Sequence, residues 1–432
     1  MIHSKAIFAG LLTAVSFTFA GGSWTLEQCL EQARKKSLKL ESAKLREQQA
    51  DVSIKMAGVN KRPTLKANIN NSLYDSPLAD HPQDHYSLSL GINGSWTLWD
   101  GGVSDLNTEA SRLNKQVATL DTRQAERSVQ ESVLNAFMNL LASQEKLLTA
   151  NSSLELSRAE LEHYGKLFDA GAITKKDLVQ SQSDVVQKQV AFLQAGQGVN
   201  SARTTLRQLL ELPASDSLSI EPPAGSVNAP DSMVALPPLE QVLADARKEN
   251  PGLKADSVAI QAARKNTEAA GKGNSITVSL SAGSSTGLQA WQSDRYGTQL
   301  KNRWQNNVSL GVSIPIIDNG STENKVLQAQ LSEAESQVTL QETFKTLENN
   351  IEQLYLNAVS ADLQWKAAVL QVEANAEALA VAEEQKNAGA ITYTDYLIQK
   401  NNLEASRVTL TNAKYTRLLA RKLLELYQGK LD

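Results

Sequence analysis

Few side chains here are grouped as chemistry requires. The histidines are His3, His81, His85 and His163. Asp80, His81, Asp84 and His85 have a spacing that a metal ion could use, but Pro82 marks the stretch as loop and favours four solvated side chains. Phosphate-loop, nucleophile-elbow and His-Glu zinc-helix patterns are missing from the sequence. Gly271-Lys272-Gly273 follows a helical pattern, not a strand, and reads as a break. No catalytic residue, metal site or cofactor is expected, and an enzyme is the disfavoured class. The single cysteine, Cys29, excludes a disulfide framework. Leu26-Glu27-Gln28 before it lacks the small residues of a lipoprotein cleavage site, so Cys29 reads as a helix cysteine and no lipid anchor is expected.

The acids that stand out do so by repetition. Asp177 follows Ala170-Gly171-Ala172-Ile173-Thr174, and Asp395 follows Ala388-Gly389-Ala390-Ile391-Thr392 at the same offset. Leu26-Glu27-Gln28 and Ala33-Arg34-Lys35 return as Leu239-Glu240-Gln241 and Ala246-Arg247-Lys248, and Leu209-Leu210-Glu211-Leu212 returns as Leu423-Leu424-Glu425-Leu426. A period of about 215 residues is too long for a solenoid and reads as a duplicated unit. The expected organisation is a leader over 1–20, a first repeat over 21–212, a connector over 213–238 and a second repeat over 239–432. The connector holds six of the eleven prolines and reads as extended chain.

Two kinds of element alternate in each repeat. The strands expected at about 64–74 and 86–99 put Leu65, Ile69 and Leu73, then Leu88, Leu90, Ile92 and Trp96, on one side, with Ser, Asn and Thr on the other. Strands at about 275–284 and 304–317 repeat the pattern with Val278, Leu280, Leu310 and Val312. Pro315 is tolerated only near a strand end or at an edge. Before each strand pair lies a helix, the first over Trp24–Val59, with a capping box at Thr25 and Gln28. After each pair runs a helix of about 66 residues, or about 99 Å, then a short turn and a return helix. Ser321 to Asn387 carries two apolar seams: Leu347, Ile351, Leu354, Ala358 and Ala361 on one, Leu356, Val359, Leu363, Ala367 and Leu370 on the other. Two seams mean two helical neighbours, as in a sheet of helices that curls closed.

The formal net charge is −4, which argues against nucleic acid as a partner. Lys5 and the apolar run Ala6–Ala20 read as a signal peptide cleaved near Ala20, giving an exported chain. Strands of about ten residues, apolar outside and polar inside, are the signature of an outer-membrane barrel. Such barrels must close, and the smallest have eight strands. Four strands per chain therefore imply a barrel shared between subunits in outer-membrane lipid. Tyr74, Tyr86, Trp96, Trp99 and Trp304 lie near strand ends, where membrane-interface aromatics belong. The alternative is a soluble sheet capping a coiled coil, as in a periplasmic scaffold or adhesin stalk.

The duplicated helix–strand–strand–helix–turn–helix order, Leu310-Gly311-Val312-Ser313-Ile314-Pro315 and the Gly-Ala-Ile-Thr turns with Asp177 and Asp395 resemble the TolC-like outer-membrane efflux proteins. The resemblance covers essentially the whole chain after the leader. It implies a mainly α fold with a membrane β-barrel: a homotrimer with a twelve-stranded barrel continued by a twelve-helix periplasmic α-barrel. It also implies a periplasmic adaptor and an inner-membrane pump as partners, with docking tips at Gly171, Ala172, Gly389 and Ala390. Asp395 matches the first of two aspartates that narrow the closed end in the family. The second falls on Ile398, a departure that leaves the ring half apolar. Three Asp395 carboxylates around a pore would repel one another and make closure sensitive to protonation; equally, Asp395 belongs to the cap of a helix starting near Thr392. Asp177 matches a position that ties the closed state together, but the family's Arg and Tyr partners fall on Ile391 and Lys386. Lys175, Lys176 and Tyr393 are the substitutes at hand. The cargo is left open.

Overall fold

A computed structural model of the chain describes residues 23–59, 61–74, 85–216, 218–222, 235–289 and 294–430. The expected leader, Asp80 to Asp84 of the strand–strand loop and most of the proline-rich connector lie outside the described residues.

The elements are α1 (Leu26–Lys36), α2 (Leu38–Val59), β1 (Thr64–Tyr74), β2 (His85–Trp99), α3 (Val103–Asp169), α4 (Lys175–Leu209), α5 (Leu239–Glu249), α6 (Pro251–Gly271), β3 (Thr277–Gln289), α7 (Tyr296–Asn302), β4 (Gln305–Ser313), α8 (Ser321–Asn387) and α9 (Tyr393–Tyr427). Duplication is visible in their lengths. Helices α3 and α8 both have 67 residues, α4 and α9 both have 35, and α1 and α5 both have 11.

The structure corrects three expectations. The helix expected over Trp24–Val59 is broken at Ser37, whose ψ of 121° is extended. The same break recurs at Asn250, with ψ of 116°. There Pro251 is the cause, since proline drives the residue before it out of the helical region, and the Asn250 side chain accepts from Leu253 N–H to start α6. The strand expected over 275–284 spans Thr277–Gln289; pairing with β2 continues to its last residue. The strand expected over 304–317 stops at Ser313, before Pro315, which has no N–H for a ladder.

The chain forms two compact units, each taking segments from both repeats. One comprises Leu38–Val129, Pro237–Asn357 and Leu423–Asp432 and holds the sheet. Its four strands run in the order β1-β2-β3-β4, each antiparallel to the next. The register aligns Ile69 with Leu90, Trp96 with Leu280, and Leu280 with Leu310 on one face. That face is open, with Leu65 and Val308 each 77% exposed. The other carries mainly Ser, Asn, Thr and Gly, with Lys66. A bulge after Thr97 sets Trp99, rather than Leu98, opposite Val278. Among the described residues, strands β1 and β4 each have one strand neighbour.

The turns out of β2 and β4 are duplicates at the level of single bonds. Asp100 accepts from Gly102 N–H (3.1 Å) and Ser104 N–H (2.9 Å); Asp318 accepts from Gly320 N–H (3.1 Å) and Thr322 N–H (2.8 Å). Gly101 and Asn319, at matching positions, have φ of 72° and 53°. Asparagine is one of the few non-glycine residues that tolerates this region.

The other unit comprises Met1–Ser37, Gln130–Leu236 and Ala358–Lys422. Its fully buried side chains include Leu134, Phe137 and Leu140 on α3, Leu206 on α4 and Cys29 on α1. Burial pushes the Cys29 thiol up to about 12, which keeps it protonated and inert. Along the whole of α8, which is divided between the two units, Ile351, Ala358 and Ala361 of the first seam are buried, while Leu356, Leu363 and Leu370 of the second are more than 60% exposed.

Candidate functional site

The two helical hairpins α3–α4 and α8–α9 end in the turns that carry the expected site residues. Both turns belong to the second unit described above. Each turn closes a helix with a glycine at positive φ, 72° at Gly171 and 71° at Gly389. Gly171 N–H donates to Phe168 O (2.9 Å) and Ala172 N–H to Leu167 O (2.8 Å); Gly389 N–H donates to Lys386 O (3.0 Å) and Ala390 N–H to Gln385 O (2.8 Å). This paired pattern satisfies carbonyls that the helix end leaves free and needs a residue without a Cβ penalty. Gly171, Ala172, Gly389 and Ala390 are all exposed.

Each return helix then opens with the same capping box. Thr174 Oγ1 accepts from Asp177 N–H (3.3 Å), and Asp177 Oδ2 accepts from Thr174 N–H (3.2 Å) and its hydroxyl (2.7 Å). Thr392 and Asp395 repeat this at 3.2, 3.1 and 2.7 Å. The Thr392 hydroxyl, then its backbone N–H, and more weakly the charge of Lys176, hold the Asp395 carboxyl below the usual carboxylate range. Asp395 and Ile398 both lie on the exposed side of α9. Tyr396, Leu397 and Lys400 lie on its buried side.

Beneath the second turn is a cluster that sequence reasoning missed. Tyr164 on α3 packs on Tyr393 with ring centroids 4.3 Å apart, and Tyr393 stacks with Tyr396 at 6.0 Å. Lys386 Nζ sits 4.0 Å from the Tyr396 ring centre. The Tyr396 hydroxyl donates to Glu160 Oε1 (2.9 Å), and Lys400 Nζ donates to Glu160 Oε2 (2.7 Å). Lys400 is 3% exposed in its side chain and also lies 3.7 Å from Asp184 Oδ2. Asp184 accepts from the Ser157 hydroxyl (2.8 Å). Lys188 donates to Asn401 Oδ1 (2.7 Å) and to Glu404. Ionic bonds thus join α3, α4 and α9 in one buried network. Burial pushes the phenols of Tyr164 and Tyr396 upward and that of Tyr393 to about 12. Tyr393, one of the substitutes at hand, is part of a packed core with Tyr164, Tyr396 and Leu397. Its visible signal was the helical spacing of Tyr393, Tyr396 and Lys400.

Between α8 and α9 lies a cavity of about 520 Å³ lined by Ala374, Ala378, Val381, Ile391 and Asp395. Small side chains leave it open. On the sheet, Tyr86 and Trp96 share the apolar face by register, and Trp99 and Trp304 are exposed. The Tyr74 side chain lies outside the described residues, as does that of His85. Among the described residues no group of three His, Cys, Asp or Glu side chains could hold a metal ion. No helix among them is long and apolar enough to cross a membrane.

A sheet with an apolar outer face and paired helical hairpins are the parts of an outer-membrane protein of TolC-like build. The family described as outer membrane efflux protein matches residues 29–211 and again 242–430, and the chain belongs to that family. It is similar to the outer membrane efflux protein BepC of Brucella suis biovar 1, at 26% identity over 92% of this chain and 84% of that one. It is also similar to TolC of Escherichia coli K12, at 21% identity over 75% of this chain and 66% of that one. Among solved structures it resembles the Campylobacter jejuni CmeC outer membrane channel, with a TM-score of 0.77 and 17% identity over 94% of this chain and 85% of that one. The protein is placed in the outer membrane, with a periplasmic helical extension.

Proposed function

We propose that this chain is the outer-membrane duct of a tripartite efflux or secretion system and has no enzymatic role. Three copies close a twelve-stranded barrel and continue it as twelve periplasmic helices. The observation that carries this reading is the sheet. Its apolar face is exposed, its polar face is lined mainly with Ser, Asn, Thr and Gly, and among the described residues β1 and β4 each lack a second strand neighbour. An open edge in lipid leaves backbone groups unpaired at several kcal/mol each. Because β1 and β4 run antiparallel, β4 of one copy can pair with β1 of the next and keep the alternation. The exposed second seam of α8 supports a helical neighbour from another copy.

In this reading residues 1–20 are a cleaved leader, 21–212 and 239–432 are the two repeats, and 213–238 is the connector. Tyr74, Tyr86, Trp96, Trp99 and Trp304 anchor the barrel at the two lipid interfaces. Gly171, Ala172, Gly389 and Ala390 dock the adaptor that links the duct to an inner-membrane pump. Asp395 and Ile398 line the closed end, with Asp177 tying it. The rival, a periplasmic scaffold or stalk, gives the exposed apolar sheet face no partner.

Light scattering and negative-stain imaging of detergent-extracted protein test the assembly. A trimer with a tubular body is expected; a monomer, or protein soluble without detergent, would sink the shared barrel. Gating is tested by Asp395→Ala in cells without a cognate pump. Entry of a bulky antibiotic is expected to rise, and unchanged permeability removes Asp395 from the gate.

A further inference from the structure

The charge inventory of the sheet is lopsided. The four strands contain no Asp, Glu or Arg, and one Lys. That residue, Lys66, stands on the polar face, exposed. The cross-strand register from it runs Lys66, Asn93, Gly283, Asn307. Gly283 is the gap in this row. A Cβ there would sit 2.7 Å from both Asn93 Oδ1 and Asn307 Oδ1, so the two carboxamides close over the position that a side chain would fill. The row therefore presents one ammonium group and two carboxamides, in a wall otherwise made of hydroxyl, amide and glycine. Among the described residues, the carboxylates at the helix-side ends of the sheet are engaged: Asp100 and Asp318 in their own turns, Asp105 with Lys61.

We infer that Lys66 makes the barrel stretch of the duct selective for anionic solutes, and that it is the specificity-determining residue of that stretch. The inference rests on the trimeric channel reading above. Threefold symmetry places the three Lys66 ammonium groups at one height whatever the strand tilt. Rings of lysine favour anions because each group carries a fixed positive charge into a lumen with no opposing carboxylate on its walls. Nothing else ionised on the strand walls dilutes the field. A solute with several negative charges gains from all three groups at once, whereas a polycation meets repulsion and finds no acidic partner on the strands.

The test uses the full trimer in a planar bilayer, with inositol hexakisphosphate as the probe, added on the side of the β1–β2 and β3–β4 connections. Delivery from that side reaches Lys66 without passing the helical tips. Block of the wild-type current is expected, about tenfold weaker in Lys66→Gln, abolished in Lys66→Glu and retained in Lys66→Arg. Equal trimer mass shows that the variants fold and assemble, as an exposed residue on the polar face should allow. A second readout needs no variant: block should vanish between 0.1 M and 1 M KCl, where the Debye length falls from about 10 Å to about 3 Å. Wild-type conductance with no block, or block of equal strength in Lys66→Gln, overturns the inference while leaving the channel intact. A trimer that conducts nothing, both as wild type and with the closed end loosened by Asp395→Ala, overturns the channel reading, and this inference with it.

Discussion

The hairpin joining α3 to α4 and the one joining α8 to α9 close with the same hydrogen bonds, a glycine in the same left-handed conformation and the same Thr–Asp capping box. Their side chains have gone separate ways. Where the first long helix has Glu160 and Tyr164, the second has Ala378 and Ala382; where the second return helix has Tyr393, Tyr396 and Lys400, the first has Lys175, Leu178 and Gln182. Backbone geometry allowed few substitutions at the turns, so the duplication is preserved there. Side chains one or two helical turns away were free to specialise. One contact, α3 against α9, became a buried ionic and aromatic anchor. The α8–α9 groove, floored by alanines, stayed open.

The largest test of this asymmetry is Lys400→Ala. It leaves Glu160 and Asp184 without their shared buried cation, a loss expected to cost about 3–5 kcal/mol. Its counterpart Gln182→Ala, on the exposed side of α4, should stay within about 0.5 kcal/mol. Urea unfolding of the detergent-solubilised protein separates the two. Equal midpoints would erase the distinction between the hairpins. Next in size is Tyr393→Ala, which empties the centre of the tyrosine stack and should cost about 3 kcal/mol. Lys175→Ala, at the matching exposed position, should be near neutral by the same measurement.

How much of this was legible beforehand follows from which features are local. The turn glycines, the Thr25–Gln28 capping box and the alternation of the strands depend on neighbours in sequence, and the sequence analysis located them. The breaks at Ser37 and Asn250 show the limit. Asn250-Pro251 carried a readable signal, whereas Ser37 precedes a leucine and nothing nearby announces its extended backbone. The network of Glu160, Asp184, Lys188, Lys400 and Glu404 was illegible for another reason. Each charge belongs to an ordinary polar helix, and only the packing of three helices from both repeats brings them together and buries them. Asp395 was left between gate and cap; the structure engages it in the cap, which settles its hydrogen bonds and leaves the pore role to experiment.

A smaller pair of substitutions sharpens what the hairpins share. Thr174→Ala and Thr392→Ala each remove an N-cap hydroxyl and should each cost about 1 kcal/mol. The comparison predicts equal effects, because the capping geometry is the same at both ends. Hydrogen exchange at the first turns of α4 and α9 reads this locally. A much larger effect at Thr392 would mean that the buried anchor beneath it depends on the cap.

The smallest effect expected, that of pH on the second cap, bears most directly on gating. Hydrogen bonds from Thr392 hold the folded Asp395 carboxyl below its ordinary range. A depressed folded-state pKa means that the native protein binds this proton less readily than the unfolded chain. Its stabilising contribution is therefore complete above the ordinary aspartate value of about 3.9 and is lost only as pH falls through the lowered folded value. Exchange protection of the Thr392 and Asp395 amides, corrected for intrinsic rates, should be flat from neutral to mildly acidic pH and fall only in strong acid. Asp395→Asn should abolish that dependence. Three carboxylates crowded around a pore predict the reverse, because mutual repulsion raises a carboxyl pKa. Loss of protection already in mild acid would place Asp395 in such a ring, while a flat profile assigns acid sensitivity of closure, if it exists, to groups other than the capping carboxylate.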